Sequence, residues 1–160
     1  MALFVVFFGS VMQAVTQPQA PSPPPVAKKA RPTRTPKQKE ALEALQRAEI
    51  ALAHKEIAGA LRLVKKAQDI DANVSEVNAF SIWVRALAGV LKPPAANAEL
   101  AVILAEDGGC TMARLYRAKL LKRENKLQEA RTEFERVLAE EPENKDAQNE
   151  LKLLLLTMRR

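Results

Sequence analysis

Between Lys39 and Lys92 the chain runs without proline, and its apolar residues recur at helical spacing. Leu42, Leu45, Ala48 and Leu52 form one row, and Ala60, Leu63, Val64 and Ala67 form another. Steps of three and four follow the 3.6-residue period of an amphipathic helix. The residues between them are mostly Ala, Glu, Lys, Gln and Arg, which favour helix. No stretch sustains the period of two that a half-buried strand requires. Breakers punctuate the pattern at Ala53–His54 with Gly59, at Asp69–Asn73, at Lys92-Pro93-Pro94, at Asp107-Gly108-Gly109 and at Glu141-Pro142. The pattern predicts an all-α chain of short helices.

The pattern also repeats. Ala130, Phe134 and Val137 precede Pro142; a shift of 34 places Ala96, Leu100 and Ile103 on the first three, and a further shift of 36 reaches Ala60, Val64 and Ala67. The two additional residues of the second shift fit an insertion at Pro93-Pro94. Ala44, Ala48 and Ala51 lie 34 before Asn78, Ile82 and Arg85, so the preceding helices keep the same register. One such helix pair cannot bury its own apolar face, so several must stack. The chain reads as three antiparallel helix pairs over residues 40–144, with a capping helix over 145–160. The cap shows the stripe Ala147, Leu151, Leu154 and Met158, with Leu153 and Leu156 off that stripe; these two predict a wide buried face or a contact with another chain.

These residues resemble the tetratricopeptide repeat family. Ala130 and Phe134 match its A-x3-F element, Pro142 matches its proline, and Ala118 and Leu121 occupy its small and aromatic positions in the first helix. Arg114 and Arg117 stand where the family has tryptophan and leucine. The resemblance covers about residues 41–144. It implies a right-handed solenoid of helix pairs and protein or peptide binding on the concave face. The last unit and tail are also similar to repeat modules of bacterial co-chaperones and scaffolds. J-domain activity does not carry over, because His54 is followed by Lys55 and no His-Pro-Asp is present. Some family members clamp chaperone C-termini with a Lys and an Asn in the first repeat. The corresponding helix here carries Leu45 and Glu49.

The residue types suit such packing without the family. Small residues at Ala60, Ala67, Ala96, Ala118 and Ala130 let helix axes approach to about 8–10 Å. Val64, Leu100, Leu121 and Phe134 fill the space between paired helices, and Pro142 stops the last of them.

Charge narrows the function. The net charge is +6, but residues 1–40 carry six of the 25 basic groups and one acid, so the helical part is close to neutral. Residues 17–39 form a Pro/Lys/Arg-rich segment read as an extended linker. Residues 1–16 are apolar: too short to span a bilayer, and lacking both a positive start and a good cleavage site. Two readings stay open for them, a loose start in a cytoplasmic protein, which is favoured, or an export or membrane-anchoring signal. Membrane association requires that residues 1–15 persist as an uncleaved anchor.

One Cys and one His leave no multi-Cys or multi-His metal site, and five Gly leave no phosphate-cradling loop. The sequence therefore predicts a non-enzymatic module with no cofactor. Leu115, Lys119, Lys122 and Arg123 form a strip on the first helix of the last repeat, able to meet an acidic peptide or a C-terminal carboxylate. Trp83, the one Trp, serves either inter-repeat packing or a partner contact. His54 reads as a C-cap, and Thr111 as an N-cap after Gly108-Gly109-Cys110. The alternative function is nucleic-acid or anionic-surface binding driven by the basic arm.

Overall fold

A computed structural model describes residues 33–159. The apolar segment 1–16 and the linker as far as residue 32 lie outside the described residues. Seven helices follow one another: α1 (Pro36–Ala53), α2 (Ile57–Ile70), α3 (Ser75–Leu87), α4 (Pro93–Glu106), α5 (Thr111–Arg123), α6 (Leu127–Glu140) and α7 (Lys145–Met158). There is no strand among the described residues.

α1 begins at Pro36, three residues before the expected end of the linker at residue 39. Thr35 caps it, accepting from the Gln38 amide at 3.2 Å, while the Gln38 side chain accepts from the Thr35 amide at 2.9 Å. Pro36 sits at the first helical position, where its missing N–H costs nothing. A proline read as linker chemistry is thus a helix start.

The two turns of each unit are built alike. Within a unit the first helix ends at a residue with positive φ: Lys55 at 64°, Gly89 at 73° and Asn125 at 60°. The following amide closes back five residues: Glu56 to the Ala51 carbonyl, Val90 to Arg85, and Lys126 to Leu121. This is the left-handed helix stop that satisfies terminal carbonyls. It makes His54 the C-cap of α1 and leaves Gly59 inside α2, where it breaks nothing. In the Glu124–Lys126 turn Asn125 takes the left-handed position that Gly89 takes in the second unit. Between units, the Asp71 carboxylate accepts from the Asn73 amide and the Asp107 carboxylate from the Gly109 amide. The N-cap of α5 is Cys110, not Thr111; the Thr111 hydroxyl instead donates to the Glu141 carboxylate across the unit. Pro142 is exposed in the turn between α6 and α7.

Consecutive helices pack together throughout. In addition α1, α3, α5 and α7 touch in succession, whereas α2, α4 and α6 do not touch one another. The first helices therefore line the inner side of an arc and the second helices splay on its outer side. Ala60, Ala67, Ala96, Ala118 and Ala130 have no exposed surface at these crossings. Val64, Leu100, Leu121 and Phe134 are buried beside them. α5 joins two cores: Ala113, Tyr116 and Leu120 pack with α1–α4, and Leu115, Ala118 and Leu121 pack with α6 and α7.

Arg114 and Arg117 converge on Glu133 of α6, at 3.4 and 3.0 Å, and Arg136 joins at 3.3 Å. The Glu133 side chain is 7% exposed. Arg114 also donates to the Gly108 carbonyl at 2.7 Å and approaches Glu140 at 3.7 Å. An ionic cluster thus occupies the place where the resembling family packs tryptophan and leucine. None of the described helices is long and apolar enough to cross a membrane.

Candidate functional site

The inner helices keep one register. Steps of 34, 36 and 34 align Glu49, Trp83, Lys119 and Leu153, and likewise Leu52, Ala86, Lys122 and Leu156. These rows run across α1, α3, α5 and α7.

At their centre the Trp83 ring stacks on Tyr116 with centroids 5.3 Å apart and planes 3° from parallel. Phe80 supports Tyr116 from below at 6.1 Å. Trp83 is thus an inter-repeat packing residue, 9% exposed, and at the same time part of the inner surface. The Lys119 ammonium lies 5.6 Å from the Trp83 centroid and 5.9 Å from that of Tyr116. The Arg123 guanidinium carbon lies 5.4 Å from Trp83. Such cation–ring contacts hold both long side chains over the aromatic pair. Burial, with the charges of Glu49, Asp146 and Cys110 after it, pushes the Tyr116 phenol far above its ordinary range. Tyr116 therefore stays neutral and acts as a floor.

Trp83, Lys119, Lys122, Arg123 and Glu150 line a cleft of about 340 Å³. Two of its cations are already paired by the cap. Lys119 meets Asp146 at 2.6 Å, and Lys122 meets Glu150 at 2.7 Å. The sequence strip is therefore not a free basic face, because α7 lays two carboxylates along it. Arg123 is exposed, and no carboxylate pairs with it among the described residues. Leu115 leaves the strip altogether: it is 8% exposed and packs in the α5–α6–α7 core. The helical spacing put it with Lys119 and Lys122, but one turn earlier the side chain enters the core that α5 shares with α6 and α7.

Leu153 and Leu156 are 54% and 52% exposed. They occupy the register of Lys119 and Lys122, so the inner surface continues beyond the cations as an apolar ledge. Glu49, Tyr116, Asp146 and Glu150 are the inner-face residues that sequence reasoning did not assign. The 34- and 36-residue shifts carried the signal for Glu49, since they lead from Trp83 back to it. Among the described residues no group of three or more His, Cys, Asp or Glu is placed to hold a metal ion.

The backbone aligns with solved repeat domains. The first repeat domain of Spaghetti (RPAP3) bound to an HSP90 peptide superposes with a TM-score of 0.56 at 22% identity, over 77% of this chain and 96% of that one. The chain has the tetratricopeptide-repeat fold. The first tetratricopeptide-repeat domain of human RPAP3 aligns with a TM-score of 0.58 at 22% identity, over 76% of this chain and 94% of that one. The Arabidopsis OM64 tetratricopeptide-repeat domain aligns with a TM-score of 0.57 at 16% identity, over 76% of this chain and 98% of that one. No family model matches the sequence, and no curated protein does. At these identities the tetratricopeptide-repeat likeness is one of fold.

Proposed function

We propose that the chain is a protein-interaction module that holds a peptide segment with an acidic side chain or C-terminal carboxylate on its concave face. The carrying observation is Arg123: an exposed guanidinium, seated on Trp83 at the mouth of the cleft, with no carboxylate partner among the described residues. A guanidinium presents a planar fork that matches a carboxylate with two parallel hydrogen bonds. Lys119 and Lys122 lie beside it and keep donor hydrogens free after pairing with Asp146 and Glu150, since an ammonium has three. Leu153 and Leu156 supply apolar surface next to these cations. The fold-level likeness supports the reading, because RPAP3 repeat domains have been solved with HSP90 and HSP70 peptides. Leu45 and Glu49 in α1 argue for a carboxylate seat at α5 and not at the first repeat.

The test is capture of acidic peptides by the full chain and its Arg123→Glu variant, read by fluorescence anisotropy. Arg123 is exposed and carries no ion pair among the described residues, so the variant keeps its helical circular dichroism. Loss of at least tenfold in affinity is expected. Equal affinity of the two proteins removes Arg123 from the site and the proposal with it.

A further inference from the structure

The concave face carries two opposite charges that no ion pair satisfies among the described residues, and they lie on inner helices with α3 between them. Arg123 of α5 is one. Glu49 of α1 is the other: it is half-buried, and no cation or hydrogen-bond donor pairs with it among the described residues. Burial raises its carboxyl above the ordinary glutamate range, and its charge acts on the Tyr116 hydroxyl. Glu49 shares the register of Trp83 on the neighbouring inner helix, and Arg123 lies over the Trp83 ring. An ionised carboxylate withdrawn from water without a partner is costly to the free protein. The same group gives a bound cation more than an exposed carboxylate would, because the surrounding dielectric is lower.

We propose that the concave face reads a mixed-charge extended segment, with a lysine or arginine on Glu49 and an aspartate or glutamate on Arg123, the stretch between them crossing Trp83 and Tyr116. This inference rests on the peptide-binding reading above and states which peptides satisfy it. The helix order sets the spacing. Glu49 and Arg123 stand on α1 and α5, with α3 between them, so two helix-to-helix steps of about 8–10 Å separate them. An extended chain advances about 3.3 Å per residue, which puts the two charged side chains about five or six residues apart. A purely acidic segment of that length is disfavoured, since its second carboxylate meets Glu49. Like charges opposed across an interface are a source of discrimination against wrong partners.

A phage-displayed library of random decapeptides selected on the full chain tests this. Selected sequences should hold one cation and one acid five or six positions apart, at least tenfold more often than acids alone. Glu49→Lys should transfer the selection to doubly acidic sequences, and Glu49→Gln should abolish the requirement for the cation. Glu49 has no ion pair or hydrogen bond to lose among the described residues, so both variants keep the fold; circular dichroism checks this. Selection of acid-only sequences by wild type, unaltered in Glu49→Lys, overturns the Glu49 pole while peptide binding at Arg123 stands. Absence of any enrichment, or enrichment indifferent to Arg123→Glu, overturns the peptide-binding reading and this inference together.

Discussion

Glu133 is the carboxylate on which the last repeat depends, and Glu133→Ala measures it. The side chain accepts from Arg114 at 3.4 Å, Arg117 at 3.0 Å and Arg136 at 3.3 Å. Its removal leaves Arg117 with no carboxylate among the described residues, while Arg114 keeps the Gly108 carbonyl and Glu140. The Nε atoms of Arg114 and Arg117 are buried without hydrogen-bond partners, so neither side chain has a second partner to turn to at that atom. Breaking a buried ion pair by deleting one member costs about 3–5 kcal/mol. The Arg117 side chain is 30% exposed and Arg136 58%, so both relax partly into water, and the low end of about 3 kcal/mol applies. For a domain of this size that is a fall in Tm of about 10–15 °C. Thermal and urea unfolding followed by far-ultraviolet circular dichroism read the loss. The companion variant Arg114→Trp/Arg117→Leu/Glu133→Leu removes every buried charge of the cluster and restores apolar packing between α5 and α6. Such exchanges are often neutral or stabilising by about 1–4 kcal/mol. The triple variant should therefore unfold at or above the wild-type temperature. A cost below about 1 kcal/mol for Glu133→Ala would refute the reasoning, since the cluster would then behave as a solvated surface network.

Phe134 has no exposed surface, so Phe134→Ala should cost about 3–5 kcal/mol, and Ala130→Leu should overpack the same crossing by about 1–3 kcal/mol; chemical denaturation measures both. Glu49 holds its proton longer in the folded chain than in the unfolded one, so its contribution to stability falls as pH rises from the ordinary glutamate range through the raised value. Glu49→Gln should accordingly raise Tm above that window and leave it unchanged below, which a pH series of melts resolves. Lys119→Glu with Lys122→Glu should lower Tm by a few degrees, because each ammonium ties α7 to α5; an unchanged melt would show that these pairs contribute nothing to docking the cap. Cys110 is fully buried, so a thiol reagent should modify it only after denaturant is added; rapid reaction in native buffer would contradict its position.

The helix pairs were legible in the sequence because their physics is local and repeated. Apolar spacing, alanines at close crossings and prolines or glycines near breaks each act within one helix or turn, and three copies of the pattern reinforce one another. Even there, local signals misled where one residue serves two purposes. Pro36 looked like linker chemistry but occupies the first helical position, and Gly59 looked like a breaker but lies within α2.

The inner surface was a different matter. Helical spacing placed Lys119, Lys122 and Arg123 on one helix, and Lys119, Lys122 and Arg123 line one cleft with Trp83. It could not say that Asp146 and Glu150 of α7 neutralise the two lysines, or that Leu115 is buried in the core shared by α5, α6 and α7. Those facts depend on how α7 lies against α5, which is a contact between residues about thirty positions apart. Sequence alone determined the periodicity and hence the repeat, because backbone propensity and apolar burial act along the chain. Only the tertiary structure decided which inner-face charges pair within the molecule, Lys119 with Asp146 and Lys122 with Glu150, while Glu49 and Arg123 find no such pair among the described residues, because electrostatic pairing acts across the arc, between helices that the chain keeps apart.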